Sequence, residues 1–247
     1  MEVVDRQGAD SFCPDSGVMI SKTKNADRSQ PFQWVIDANP QDTHVIDFYL
    51  PNGTARYWSI GDYRQLVDAL FHAGTNSGSE YEYEDLANGL HFYILEKLRD
   101  EAGVLHYTVG VKSTSTNTTS TATYGIELGS GKLETSGYGK SAVDGAYCTF
   151  ELKNTGKAVE LSSNPHPQDL SSYLGSDIYS LAAEVEGEGW KVAVPNALAY
   201  AKAGKQKTVK VAVGCDGECS KEATVTLKVT SESDKKVQRT KTCKVRI

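Results

Sequence analysis

The chain has no apolar run approaching the ~20 residues that cross a bilayer, so no transmembrane helix is expected. Its start, MEVVDRQGAD, lacks a basic segment followed by an apolar one, so no secretory leader is visible. A positive balance is missing too: 26 Lys and Arg face 32 Asp and Glu, for a net charge of -6. That argues against nucleic acid or an anionic membrane as a partner, because phosphate repels an acidic surface. The catalytic signatures are also missing. None of His44, His72, His91, His106 and His166 lies in H-E-x-x-H, the helical spacing that puts two imidazoles on one zinc ion. There is no G-x-S-x-G elbow and no phosphate-cradling loop. His91 precedes Glu96, but on a strand these two point to opposite faces. Cys13, in Phe12-Cys13-Pro14-Asp15, has no positional link to a base, so it reads as unpaired rather than as a nucleophile. The residues offer no enzyme.

What is present is a β-rich, cysteine-bearing chain. Its 247 residues, 39% of them hydrophobic, suffice for two domains of about 100–150 residues with packed cores. Four of five cysteines (Cys148, Cys215, Cys219 and Cys243) fall in the last hundred residues. Cys215 and Cys219 lack a second close pair or a nearby histidine to complete a tetrahedral metal site, so disulfides are expected. Disulfides imply an extracellular protein, and hence that Met1 is not the natural start of a secreted chain. The sequons Asn52-Gly53-Thr54 and Asn117-Thr118-Thr119 agree with this and mark Asn52 and Asn117 as candidate glycosylation sites.

Along the first half, Gly17–Ser21 and Gln33–Asp37 are short β-prone runs. Val45–Tyr49 and Ala55–Trp58, around Pro51-Asn52-Gly53, read as a hairpin. Tyr63, Leu66, Val67 and Leu70 repeat at helical spacing between a capping Asp62 and a closing Gly74, which predicts one helix. Thr75–Asn88 reads as a polar loop. Its acidic run, Glu80–Asp85, is where a structural calcium could sit, although it lacks the spacing of an EF-hand; no other cofactor is implied. Leu90–Leu95 and Val104–Val109, joined through Arg99–Gly103, form the clearest hairpin and should be central to a sheet.

The span 112–145 is dominated by Ser, Thr, Asn and Gly and reads as a linker, although 122–128 alternates as a strand would. From 146 onward, six β-runs separated by polar turns read as a β-sandwich, with Trp190 among alternating valines as a core anchor. The expected fold is mainly β. It comprises a β-rich domain with one helix over 1–111, a linker over 112–145, and an immunoglobulin-like sandwich over 146–247.

Several ordered blocks carry a resemblance: Asp15–Lys24, Trp34–Ala38, Asp62–Leu66, Phe71–Thr75, Glu82–Asp85 and Leu90–Tyr93. Over 1–111 the chain resembles the region downstream of the catalytic domain in secreted immune-inhibitor-A-like zinc metalloproteases. Phe150–Gly156, Gly189-Trp190, Pro195–Ala197, Ala203–Lys205 and Ala223–Leu227 are similar to the immunoglobulin-like modules that end many secreted hydrolases. The resemblance implies a secreted, non-catalytic accessory region that supports or positions a catalytic peptidase domain. The zinc helix is absent, so no catalytic residue carries over. The alternative is an independent module that binds an extracellular protein or glycan, with Trp58, Tyr81, Tyr83 and Tyr93 as stacking residues.

One pairing follows from geometry. If Ala223–Val229 and Val237–Val245 form a hairpin through Thr230–Asp234, Cys219 and Cys243 centre on Ser231 and face each other. Cys148 and Cys215 would then pair, leaving Cys13 free. The competing arrangement closes Cys215 to Cys219 in a tight loop.

Overall fold

A computed structural model describes residues 1–13, 15–23, 33–39, 48–56, 69–114, 122–135, 146–157, 175–215 and 217–246. The chain divides into two compact units, Met1–Ser115 and Thr116–Ile247.

Among the described residues, the first unit holds ten strands. They are β1 (Glu2–Val4), β2 (Gly17–Met19), β3 (Ser21–Thr23), β4 (Gln33–Val35), β5 (Phe48–Tyr49), β6 (Ala55–Arg56), β7 (Leu70–Phe71), β8 (Glu82–Asp85), β9 (Leu90–Arg99) and β10 (Leu105–Ser113). They form the sheets β1-β2-β7 and β10-β9-β8 and the pairs β3-β4 and β5-β6. The hairpin expected at Arg99–Gly103 is present. Leu105 lies opposite Arg99, a bulge falls between Thr108 and Val109, and β9 is the middle strand of its sheet. Asp100 makes the turn, its Oδ1 accepting from the amides of Ala102 and Val104, as a short carboxylate does where backbone donors would otherwise be bare. Val18, Ile20, Ala38, Phe71 and Ile94 form the main buried cluster, with Tyr83, Phe92, Tyr107 and Val109 against it.

Two expectations for this unit need comment. The helix over 63–70 lies mostly outside the described residues, but its last position, Leu70, is strand and fully buried. The polar stretch 75–88 is not all loop, because Glu82–Asp85 pairs with Leu90–Tyr93 as β8. The turn between them contains Asn88-Gly89 with Gly89 at φ 61, a hairpin signal that the acidic composition hid.

Among the described residues, the second unit holds nine strands. They are β11 (Ile126–Leu128), β12 (Lys132–Thr135), β13 (Ala146–Asn154), β14 (Ser176–Glu186), β15 (Trp190–Ala193), β16 (Leu198–Lys202), β17 (Gln206–Cys215), β18 (Glu222–Ser231) and β19 (Gln238–Arg246). One antiparallel sheet runs β11-β13-β17-β15, with β12 also on β13; the other runs β16-β14-β18-β19. Their inward residues share one core, including Phe150, Leu152, Tyr179, Val211, Val225 and Leu227. β11 and β12 fall inside the span read as a linker. That reading is corrected for them, since both are bonded to β13 and Ile126 and Leu128 are buried.

Trp190 is the expected anchor, 5% exposed, and its indole Nε1 donates to the carbonyl of Ser220 at 2.9 Å. A buried indole needs such a partner.

Candidate functional site

Titratable groups gather on both faces of the β8–β9 hairpin in the first unit. Lys22 Nζ lies 2.9 Å from Asp85 Oδ1 and 5.5 Å from the centre of the Tyr83 ring. Asn88 Nδ2 donates to Asp85 Oδ2 at 2.7 Å. The Asn88 amide, followed by the Lys22 ammonium, holds the Asp85 carboxyl below its ordinary value, and Asp85 in turn raises Lys22. On the same hairpin, His91 Nε2 lies 3.1 Å from Glu82 Oε2, and Tyr93 Oη lies 3.0 Å from His91 Nδ1. A carboxylate only accepts, so Nε2 is the donor to Glu82, and the tautomer with its proton there leaves Nδ1 to accept from the tyrosine hydroxyl. Sequence spacing weighed His91 against Glu96 and missed Glu82, because the β8–β9 register that joins them is set by the turn at Asn88-Gly89.

The acidic run is therefore engaged at Glu82 and Asp85, and among the described residues no group of three or more His, Cys, Asp or Glu is arranged to hold a metal ion. Calcium at this run has no ligand set among those residues.

A second cluster surrounds His72, which is 9% exposed. Its Nε2 lies 3.0 Å from the Ser16 carbonyl and 3.2 Å from Asp15 Oδ2, and its Nδ1 lies 2.7 Å from Ser79 Oγ. The order serine, histidine, aspartate is that of a nucleophile relay. Here, however, Ser79 Oγ also accepts from the His72 backbone amide at 3.1 Å. The ring also abuts Gly17, where a Cβ would come 3.1 Å from Nε2. The group clasps the 15–17 segment to the 79–80 segment.

The proposed stacking aromatics fare unevenly. Trp58 lies outside the described residues. Tyr93 is corrected, being fully buried and stacked on His91 at 4.1 Å, where no sugar reaches it. Tyr83 is half-buried between Phe71 and Phe92, with ring centres 6.3 Å from each. Tyr81 is half-buried as well, and burial raises its hydroxyl's pKa. Among the described residues, Tyr81, Tyr83 and Tyr93 do not converge on a cleft. Asn52 is exposed at the β5–β6 turn, and Asn117 lies outside the described residues.

In the second unit Asp177 is 2% exposed. Its Oδ2 accepts from Ser231 Oγ at 2.6 Å, and that oxygen accepts from the amides of Ser233 and Asp234. Burial raises the Asp177 carboxyl above its ordinary value despite these bonds. All four cysteines expected to cross-link do so, in another pairing: Cys148 with Cys243 and Cys215 with Cys219. The pairing Cys219–Cys243 is corrected because the β18–β19 hairpin centres on Asp234, with Glu222 opposite Arg246 and Cys243 opposite Val225. Cys219 precedes the ladder. Cys13 is free and buried.

Residues 1–114 match a family profile described as a middle domain, and residues 127–247 match one described as a peptidase M6-like domain. The first unit is thus similar to the one and the second unit to the other, and these profiles supply the labels middle domain and M6-like domain. A protein of Arthroderma benhamiae named as a secreted metallopeptidase is 52% identical over 246 residues, which are 99% of this chain. The chain spans 35% of that relative's length. The M6-like domain contains a single histidine, His166, so the two histidines of an H-E-x-x-H helix are not available within it.

Proposed function

We propose that the chain is the accessory region of a secreted metalloprotease-like protein, docking on and positioning a catalytic domain that lies elsewhere in the longer polypeptide. The observation that carries this reading is where the exposed apolar side chains lie. Among the described residues every large exposed hydrophobic belongs to the middle domain, including Leu86 at 80%, Phe12 at 65%, Leu98 at 63%, Val111 at 53% and Val104 at 52%. Soluble domains expose such residues singly, but Leu98 and Val104 fall near each other at the β9–β10 turn, which supports an interaction surface there. The sandwich, read as immunoglobulin-like, has none of these exposed large apolar residues among its described positions. Secretion follows from the relative's name and agrees with two disulfides, which persist in oxidising compartments. No helix among the described residues is long and apolar enough to cross a membrane.

The test starts with the coding sequence around this chain, where an in-frame H-E-x-x-H helix is expected. That catalytic region and this chain, purified separately, should associate. Leu98→Glu with Val104→Glu should weaken the complex at least tenfold while leaving the melting point of the isolated chain in place. Absence of the zinc helix, or absence of association, overturns the reading.

A further inference from the structure

The β5–β6 turn places three features together that neither the sheet nor the docking role requires. Asn52-Gly53-Thr54 is a sequon with no proline at its centre. Pro51 through Thr54 are all exposed. The turn is closed by the Gly53 amide donating to the Leu50 carbonyl at 2.8 Å and the Leu50 amide donating to the Thr54 carbonyl at 2.9 Å, with Gly53 at φ 81. Within it, Asn52 Oδ1 accepts from the Thr54 amide at 3.1 Å. The carbonyl end of the side chain is thus held by the backbone, which leaves the amide nitrogen as the group offered at the tip. Three residues before Asn52, at the base of the same turn, Tyr49 is 64% exposed. A two-residue strand does not need a bare tyrosine, and a large exposed ring on a short hairpin presents an apolar face to solvent.

We infer that Asn52 carries an N-linked glycan and that the first N-acetylglucosamine packs its apolar face on the Tyr49 ring. The donor is a lipid-pyrophosphate-linked oligosaccharide. The Asn52 Nδ2 forms a bond to the anomeric carbon, the bond from that carbon to pyrophosphate oxygen breaks, the lipid pyrophosphate departs, and the amide gives up one proton. Thr54 supplies the hydroxyl that a sequon needs at its third position. A sugar ring laid across Tyr49 would shield an aromatic that water now covers and would stiffen the turn, as rigid amphipathic contacts do elsewhere. It would also bar protein from this tip, so the docking surface of the middle domain lies away from Tyr49.

This inference rests on the secretory route in the reading above, not on the docking role, and the experiment supplies that route independently. The full chain carrying Asn117→Gln is secreted from yeast behind a heterologous leader and mapped by peptide mass spectrometry. The expected result is hexose-bearing N-acetylglucosamine on the Asn52 peptide in most molecules, removed by peptide-N-glycosidase F and lost in Asn52→Gln. An unmodified Asn52 in the secreted chain overturns the glycan while leaving the docking role standing. Removing the sugar should raise the rate of protease cleavage within 50–56 at least threefold in the parent chain and leave it unchanged in Tyr49→Ala. An equal rise in both would overturn the stacking.

Discussion

Cys148 on β13 and Cys243 on β19 bridge the two sheets of the sandwich, with Cα atoms 6.1 Å apart and both residues almost fully buried. The bond spans 95 residues, so by the chain-entropy argument it removes much of the freedom of the unfolded M6-like domain, about 4 kcal/mol. Cys243→Ser should therefore lower the melting point of that domain by more than about 10 °C, read by thermal denaturation with and without reductant. A loss no larger than that of Cys219→Ser would refute the assignment.

Gly131 is packed against this bridge. A Cβ there would come 2.4 Å from the Cys243 Cβ and 2.7 Å from the Phe150 ring. Neither neighbour can yield, because one is cross-linked and the other fills the core. Gly131→Ala should cost roughly 2 kcal/mol by overpacking, measured by urea denaturation. Gly214→Ala, at a position with open space around it, is the control and should be nearly neutral.

The Cys215–Cys219 bond closes only four residues and lies at the surface, so it should contribute about 2 kcal/mol or less and yield to reductant first. Alkylation under limiting dithiothreitol should label Cys215 and Cys219 well before Cys148 and Cys243. Trp190 lies opposite Cys215 in the ladder and bonds Ser220, so its fluorescence should change with the first phase of reduction and not wait for the second.

Asp177 and Asp85 should give opposite pH dependences. The folded pKa of Asp177 is raised by burial. Its contribution is therefore fully present below the unfolded value and is lost as pH rises through the folded one. The stability of the parent chain relative to Asp177→Asn should fall as pH rises above the unfolded carboxylate value of about 4. Asp85 is lowered by Asn88 and Lys22, so its contribution is present above the unfolded value and lost as pH falls through the folded one. Relative to Asp85→Asn, the middle domain should lose its advantage on acidification. Urea titrations as a function of pH, followed separately for the two domains, check both signs.

The sequence by itself determined the β character, the hairpin around Arg99–Gly103, the strands of the sandwich and the burial of Trp190. Each rests on alternation and turn chemistry within a dozen residues, which the local backbone obeys. It also told which four cysteines would be bonded, since crowding and the lack of metal partners are facts of composition. Only the tertiary structure decided which cysteine meets which. A three-residue shift in the centre of the β18–β19 turn, from Ser231 to Asp234, moves Cys243 from Cys219 to a position opposite Val225, and whether it then faces Cys148 depends on how two sheets pack. The same holds for His91, whose partner Glu82 comes from a strand hidden in an acidic run. Alternation assigns a residue to a face, but register and the packing of one sheet on another assign its neighbour, and those are settled by contacts between segments far apart in the chain.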